Sequence, residues 1–139
     1  MKIVADVNVI IAALLANSTS RKLLLSADAE FYFPAQSLVS LHKYEEELIQ
    51  KSGLSRDEYV LLKSELFAKI ALIPNEAVSR HIDNAFDIMG AIDDEDVTIL
   101  AGAFAVSALI WSQDKHFERQ DKIHVLKTAD MVKLFGDTV

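Results

Sequence analysis

Short apolar runs alternate with amphipathic stretches along the whole chain. Residues 2–5, Lys-Ile-Val-Ala, read as a buried strand, and residues 7–16, rich in Ala, Leu and Ile, as a helix. Ser20 is placed to cap a second helix through Ala27, its hydroxyl accepting a free N–H of the first turn. Glu30-Phe31-Tyr32-Phe33 is aromatic and strand-like; Pro34 stops it and starts a helix expected over residues 36–51, which Gly53 ends. Ser55 and Glu58 form a capping box ahead of Tyr59, Leu62, Leu66 and Ile70, which with Phe67 keep the spacing of a core-facing helical stripe. Residues 71–74 read as a third strand and residues 76–89 as a helix with Ile82, Phe86 and Met89 on one side, closed by Gly90. The most apolar helix is expected over residues 96–107, covered on nearly all sides. Strands follow at 108–112 and 123–126, and Thr128 caps a last helix to about Phe135.

Strands alternating with helices predict a three-layer α/β/α fold with a central, mostly parallel five-stranded sheet. At 139 residues and about half apolar, the chain suits one domain over residues 1–139, with no repeat, linker or low-complexity segment. It has no cysteine, so neither a disulfide framework nor a thiolate metal site is available, which fits a reducing cytosol. Asp6 and Asn8 interrupt the opening apolar run, so no secretion signal is read there and a cytoplasmic location is expected. The longest apolar stretch, residues 99–111, contains Gly102 and Ser107 and is too short to span a bilayer, so no membrane partner is expected.

Against this frame, three aspartates stand at the ends of elements. Asp6 ends the first strand, Asp114 follows the strand that contains Ile110 and Trp111, and Asp96 opens the most apolar helix. Ligands of open α/β sheets bind outside the carboxyl ends of the strands, so side chains at those points can share one cleft. Carboxylates gathered there repel one another unless a cation neutralises them. Oxygen ligands suit Mg²⁺ or Mn²⁺, and such an ion supports phosphodiester chemistry. Each aspartate also has a plainer role, as a turn residue for Asp6 and Asp114 and as a helix cap for Asp96. The net charge of −7 argues against a protein that coats nucleic acid, though not against a nuclease with bound divalent ions. The modest basic groupings, Arg21-Lys22 and Lys115, Arg119 and Lys122, read as solvated surface.

The ordered set Asp6-x-Asn8-Val9, Asp93-x-x-Asp96 and Ile110-Trp111-Ser112-Gln113-Asp114-x-x-Phe117 resembles the PIN-domain family, over essentially the whole chain. Members of that family are metal-dependent ribonucleases, many of them toxins of VapBC-type toxin–antitoxin pairs. The resemblance implies that Asp6, Asp96 and Asp114 are catalytic, metal-holding acids, with Asn8 and Ser112 as supporting polar positions and Asp93 as a further acid nearby. It implies Mg²⁺ or Mn²⁺ as cofactor and RNA as substrate, with a small antitoxin and a homodimer as further family expectations. Asp94 and Glu95 are read as solvated loop charge.

The sequence departs from the family pattern at one place. The remaining family acid is a glutamate early in the helix after the second strand, and the matching position, six residues past Pro34, is Ser40. Glu47 lies on nearly the same helix face as Ser40, two turns on, but is displaced by about 10 Å along the axis. The run Glu45-Glu46-Glu47 therefore reads as a solvated face, and Ser40 as a residue able to hold a water or orient Asp6. His42, His81, His116 and His124 lack the i, i+4 pairing of a zinc helix and read as surface or boundary residues. No phosphate-binding loop, dinucleotide fingerprint or nucleophile elbow is present. Two alternatives to a ribonuclease follow. One is a catalytically impaired PIN-fold protein that binds RNA or a protein partner, motivated by Ser40. The other is a receiver-like phosphoacceptor domain, which lacks the acidic pair it needs at the first strand.

Overall fold

The first strand, β1 (Lys2–Ala5), is wholly buried from Ile3 to Ala5, as a strand covered on both faces must be. The computed structural model describes residues 1–90 and 93–136; residues 91–92 and 137–139 of the expected 1–139 domain lie outside the described residues. β1 pairs with β2 (Glu30–Pro34) on one side and β4 (Leu109–Trp111) on the other; β3 (Ile70–Ile73) and β5 (Val125–Leu126) complete the sheet in the order β3-β2-β1-β4-β5. Every pairing is parallel. The chain moves outward from β1 to β3 and then returns across β1 to lay down β4 and β5. The β1–β4 boundary is thus the point where the winding reverses, the expected place for a ligand cleft.

Helices α1 (Val7–Leu15), α2 (Thr19–Ser26), α4 (Glu45–Ser52) and α5 (Arg56–Phe67) pack together in one layer, joined by α9 (Thr128–Phe135). In the other layer, α6 (Asn75–Ser79) and α7 (Ile82–Met89) pack against α8 (Asp94–Val106), which lies on β1, β2, β3 and β4. Its residues Asp96 to Ala103 are all buried, which explains a helix without an amphipathic stripe. Gly102 permits this close approach. A Cβ there would stand 3.1 Å from Ile73 Cδ1 and 3.3 Å from Pro34 Cγ. No single helix is long and apolar enough to cross a membrane among the described residues.

Several expected elements are drawn differently. The helix expected over residues 36–51 is two, α3 (Ala35–His42) and α4, separated by Lys43 and Tyr44. The helix expected over 76–89 is likewise divided into α6 and α7. Ser18, not Ser20, caps α2, accepting from the Arg21 amide at 3.2 Å, while Ser20 is buried inside the helix. Thr128 is the first residue of α9 rather than its cap. Its hydroxyl instead accepts from the Trp111 indole at 3.1 Å, pinning α9 to the end of β4. The Ser55–Glu58 capping box is formed as expected.

Because α8 carries Asp96 into the sheet's end, its seating bears directly on the site. Gly102→Val should destabilise the fold by about 1–3 kcal/mol through overpacking against Ile73 and Pro34. Urea denaturation checks this, and an unchanged midpoint would show that α8 has room to spare.

Candidate functional site

The Asp6 amide donates to the Trp111 carbonyl at 3.0 Å, so the β1–β4 ladder extends to the residue that begins α1. Asp6 is the N-cap of that helix. Its Oδ1 accepts from the Val7 amide at 2.7 Å and its Oδ2 from the Ser112 hydroxyl at 2.7 Å. The same Ser112 oxygen accepts from the Asp114 amide at 2.9 Å. One buried serine therefore ties the carboxylate of one central strand to the backbone of the next.

Asp114 ends that segment as the cap of a 3-10 turn, Lys115–Arg119, with Oδ1 accepting from the His116 amide at 2.9 Å. The turn folds the His116 ring back over the cleft, with Nδ1 2.7 Å from Asp96 Oδ2 and 3.4 Å from Asp114 Oδ1. Asp96 does not take the plainer role of cap to the apolar helix. Asp93 takes that role, accepting from the Glu95 amide at 2.9 Å, and Asp96 sits in the first turn with its side chain turned inward and buried. Candidate ligand atoms of Asp96, Asp114 and His116 all lie within 4.8 Å of one another.

The electrostatics follow from burial. Asp6 is 3% exposed, and its carboxyl is pushed from 3.8 up to about 6. Loss of solvent is the main cause. The Asp96 and Asp114 charges push the same way, against the hydrogen bonds from Ser112 and Val7. Burial also raises the Asp96 carboxyl, with Asp114 and Asp93 adding repulsion and the His116 hydrogen bond opposing them. The His116 imidazole is raised in turn, first by that hydrogen bond to Asp96 and then by the acid charges. Among the described residues, no Lys or Arg forms an ion pair with Asp6, Asp96 or Asp114; protonated His116 is the cation at ion-pair distance from the latter two.

The sequence-expected residues thus divide into groups. Asp6, Ser112, Asp96 and Asp114 converge. Asp93 caps α8 and reaches the group through its charge alone. Asn8 is exposed in the first turn of α1 and Ser40 is half-buried on α3, neither with a side-chain hydrogen bond among the described residues. His116, expected at a surface or boundary, belongs to the cluster. Its spacing from Asp114, two residues past a strand-end aspartate in a tight turn, was the available signal. The three glutamates are engaged elsewhere, Glu45 with Lys63 at 3.0 Å, Glu46 with Arg56 at 2.5 Å and Glu47 with Lys51 at 2.8 Å. Glu95, expected to be solvated, is half-buried instead, and its Oε2 is shielded from solvent with no hydrogen-bond partner among the described residues. Arg21, read as solvated surface, is half-buried. Its guanidinium caps the end of α1, donating to the Ala13 carbonyl at 2.7 Å.

Known structures share this arrangement of the chain. VapBC2 from Rickettsia felis, bound to a DNA fragment from the promoter, is similar with a TM-score of 0.68 at 13% identity, over 91% of this chain and 98% of that one. VapBC-1 from nontypeable Haemophilus influenzae gives 0.62 at 17% identity, over 93% and 99%. FitAB bound to a DNA fragment gives 0.55 at 17% identity, over 91% and 94%. At these identities the likeness is one of fold. No curated protein matches the chain in sequence. Residues 4–129 match the family described as PIN domain, and with nearly the whole chain inside that match, the protein belongs to the PIN-domain family.

Proposed function

We propose that this protein is a metal-dependent ribonuclease of the PIN type, with Asp6, Asp96 and Asp114 as its catalytic, metal-holding acids and Mg²⁺ or Mn²⁺ as the ion. The observation that supports the reading is the gathering of Asp96 and Asp114 with His116 at the β1–β4 reversal, close enough to buried Asp6 for their charges to raise its carboxyl, with no Lys or Arg paired to any of the three acids among the described residues. The donor set fits a hard cation. Ligand oxygens about 2.1 Å from an octahedral ion stand about 3–4 Å apart, compatible with Asp96 and Asp114, whose candidate ligand atoms lie with that of His116 within 4.8 Å of one another. A divalent ion held there would acidify a water molecule and polarise a phosphodiester.

The chain's own part is to hold the acids in place. Each Asp6 oxygen accepts one hydrogen bond and retains a lone pair directed elsewhere, so Val7 and Ser112 orient the carboxylate without consuming it. Asp96 and Asp114 hold His116 between them, and that proton can be exchanged for a stronger charge. Asp93 fixes the start of α8 and with it the direction of Asp96. Membership of the PIN family and the fold likeness to VapBC proteins support a wider reading, a cytoplasmic toxin of a toxin–antitoxin pair. Its partners would be RNA as substrate, a small antitoxin over the cleft and a second copy in a homodimer. Ser40 favours a second reading, a PIN-fold protein impaired in catalysis that acts by binding RNA or a protein. Calorimetry separates the two, since the impaired protein takes up no Mn²⁺ at millimolar concentration.

The purified protein should cleave a generic single-stranded RNA only with Mg²⁺ or Mn²⁺, and Asp6→Asn should abolish cleavage. Cleavage that persists in chelator, or in Asp6→Asn, rules the reading out. A pH dependence follows from the Asp6 carboxyl, held at about 6 in the fold against 3.8 ordinarily. The folded state favours the protonated form, so this contribution is complete below about pH 4 and is lost as pH rises through 6. The difference in unfolding free energy between the metal-free protein and Asp6→Asn should change by on the order of 3 kcal/mol across that window. Urea denaturation from pH 4 to 7 measures it, and a flat difference contradicts the assignment. Finally, Mg²⁺ should lower the His116 pKa by neutralising Asp96 and Asp114. A ring titration followed by NMR that is identical with and without Mg²⁺ would put the ion elsewhere.

A further inference from the structure

A mostly apolar cleft of about 210 Å³ opens between the start of α1 and the end of α3. Val7 and Ile11, both half-buried, stand one helical turn apart and form its wall on α1. The Val7 amide is also the group that donates to Asp6 Oδ1 at 2.7 Å, so this wall begins at the residue that orients the first acid. The opposite wall is made where α3 breaks off. The Lys43 amide donates to the Ser40 carbonyl at 3.3 Å and the Tyr44 amide to the Leu41 carbonyl at 3.2 Å. This tightened last turn leaves Lys43 and Tyr44 exposed at the cleft.

Neither of these side chains has an evident structural occupation. Tyr44 is 57% exposed, and Lys43 forms no ion pair among the described residues. The glutamates that follow them turn away to Lys51, Arg56 and Lys63. An aromatic ring and a cation in succession beside an apolar slot are the parts that bind single-stranded nucleic acid, the ring by stacking on a base and the cation by neutralising a phosphate. The other polar residues of the cleft favour a base over a phosphate inside it. Ser40 and Glu95 line it, and neither side chain has a hydrogen bond among the described residues. Hydroxyl and carboxylate can meet the donors and acceptors of a base edge, whereas the carboxylate repels a phosphate. The volume of about 210 Å³ is below the roughly 300–1,000 Å³ of sites for drug-sized ligands and suits one planar ring system.

We propose that this cleft is a subsite for one unpaired nucleobase of the RNA strand, its ring stacked on Tyr44 and the adjoining phosphate on Lys43. This deepens the ribonuclease reading above and rests on it. The subsite selects single-stranded over duplex RNA, since a base already stacked and paired in a helix is not free to enter. It tolerates any base, because each offers a π face to the ring. Tyr44 and Lys43 are binding residues in this arrangement, separate from the acid cluster, and they guide the strand along α1 toward Asp6.

Fluorescence anisotropy of a short labelled single-stranded RNA of mixed sequence tests this, with Asp6→Asn as the parent protein in Mg²⁺ so that the strand is bound and not cut. Adding Tyr44→Ala should weaken binding about fivefold or more, whereas Tyr44→Phe should stay within about twofold of the parent, because stacking needs the ring and not the hydroxyl. Lys43→Ala should weaken binding at low salt and reduce its dependence on salt, as loss of a phosphate contact does. An abasic strand of the same length should bind the parent and Tyr44→Ala alike. Matching circular dichroism and urea midpoints establish that the variants are folded. Parent affinity in Tyr44→Ala overturns the base subsite and leaves the cleft to a protein segment. An equal loss in Tyr44→Phe, or the same loss with the abasic strand, overturns it as well, as does a parent that binds no RNA at high micromolar concentration. Metal-dependent cleavage by the unaltered protein is assayed in parallel, so the ribonuclease reading stands or falls separately.

Discussion

The amide of Asp6 continues the β1–β4 ladder one residue past the end of β1, donating to the carbonyl of Trp111 at 3.0 Å. Parallel pairing places the carboxyl ends of both strands side by side, and the reversal of winding leaves no crossover helix above them. From this register follow the Ser112 bond to Asp6, the position of Asp114 two residues further on, and the turn that returns His116 over the cleft. Shifting the register by one residue would send alternate side chains to the opposite face and break all three. The site is in this sense an extension of sheet geometry, and the helices serve to bring Asp96 to it.

Holding acids in that space is unfavourable in itself. Asp6 and Asp96 are both buried, their carboxyls are raised chiefly by loss of solvent, and each feels the charge of Asp114. The fold tolerates them because each has a donor: Ser112 and Val7 for Asp6, His116 for Asp96. These donors differ in kind. A serine and an amide orient a carboxylate without removing its charge, whereas an imidazolium removes charge and can be displaced. A histidine on a half-exposed turn is well suited to occupy a cation's place between Asp96 and Asp114.

The departure at Ser40 looks different once α3 and α4 are separate helices. A continuous helix would carry Glu47 along the same face as Ser40, about two turns away. The break at Lys43 and Tyr44 removes that relation, and the glutamates turn to Lys51, Arg56 and Lys63 instead. Glu95 lies 55 residues beyond Ser40, yet both line one cleft, and a Gln36–Thr98 hydrogen bond joins their two helices.

Much of the architecture was legible in the order of residues alone. The alternation of buried strands and helices, the capping box at Ser55 and the positions of Asp6, Asp96 and Asp114 at element ends all depend on local periodicity and local hydrogen bonding, which travel with the chain. The same local reasoning placed breaks and caps less well, because Ser18 or Ser20, Asp93 or Asp96, and a continuous or broken helix after Pro34 are locally near equivalents that packing decides. What tertiary structure alone determined is which charges meet. The involvement of His116 arises from the turn that follows β4, and the half-burial of Glu95 from the seating of α8 on the sheet. Electrostatic neighbours are set by distance in space, whereas hydrophobic periodicity and capping report on distance along the chain.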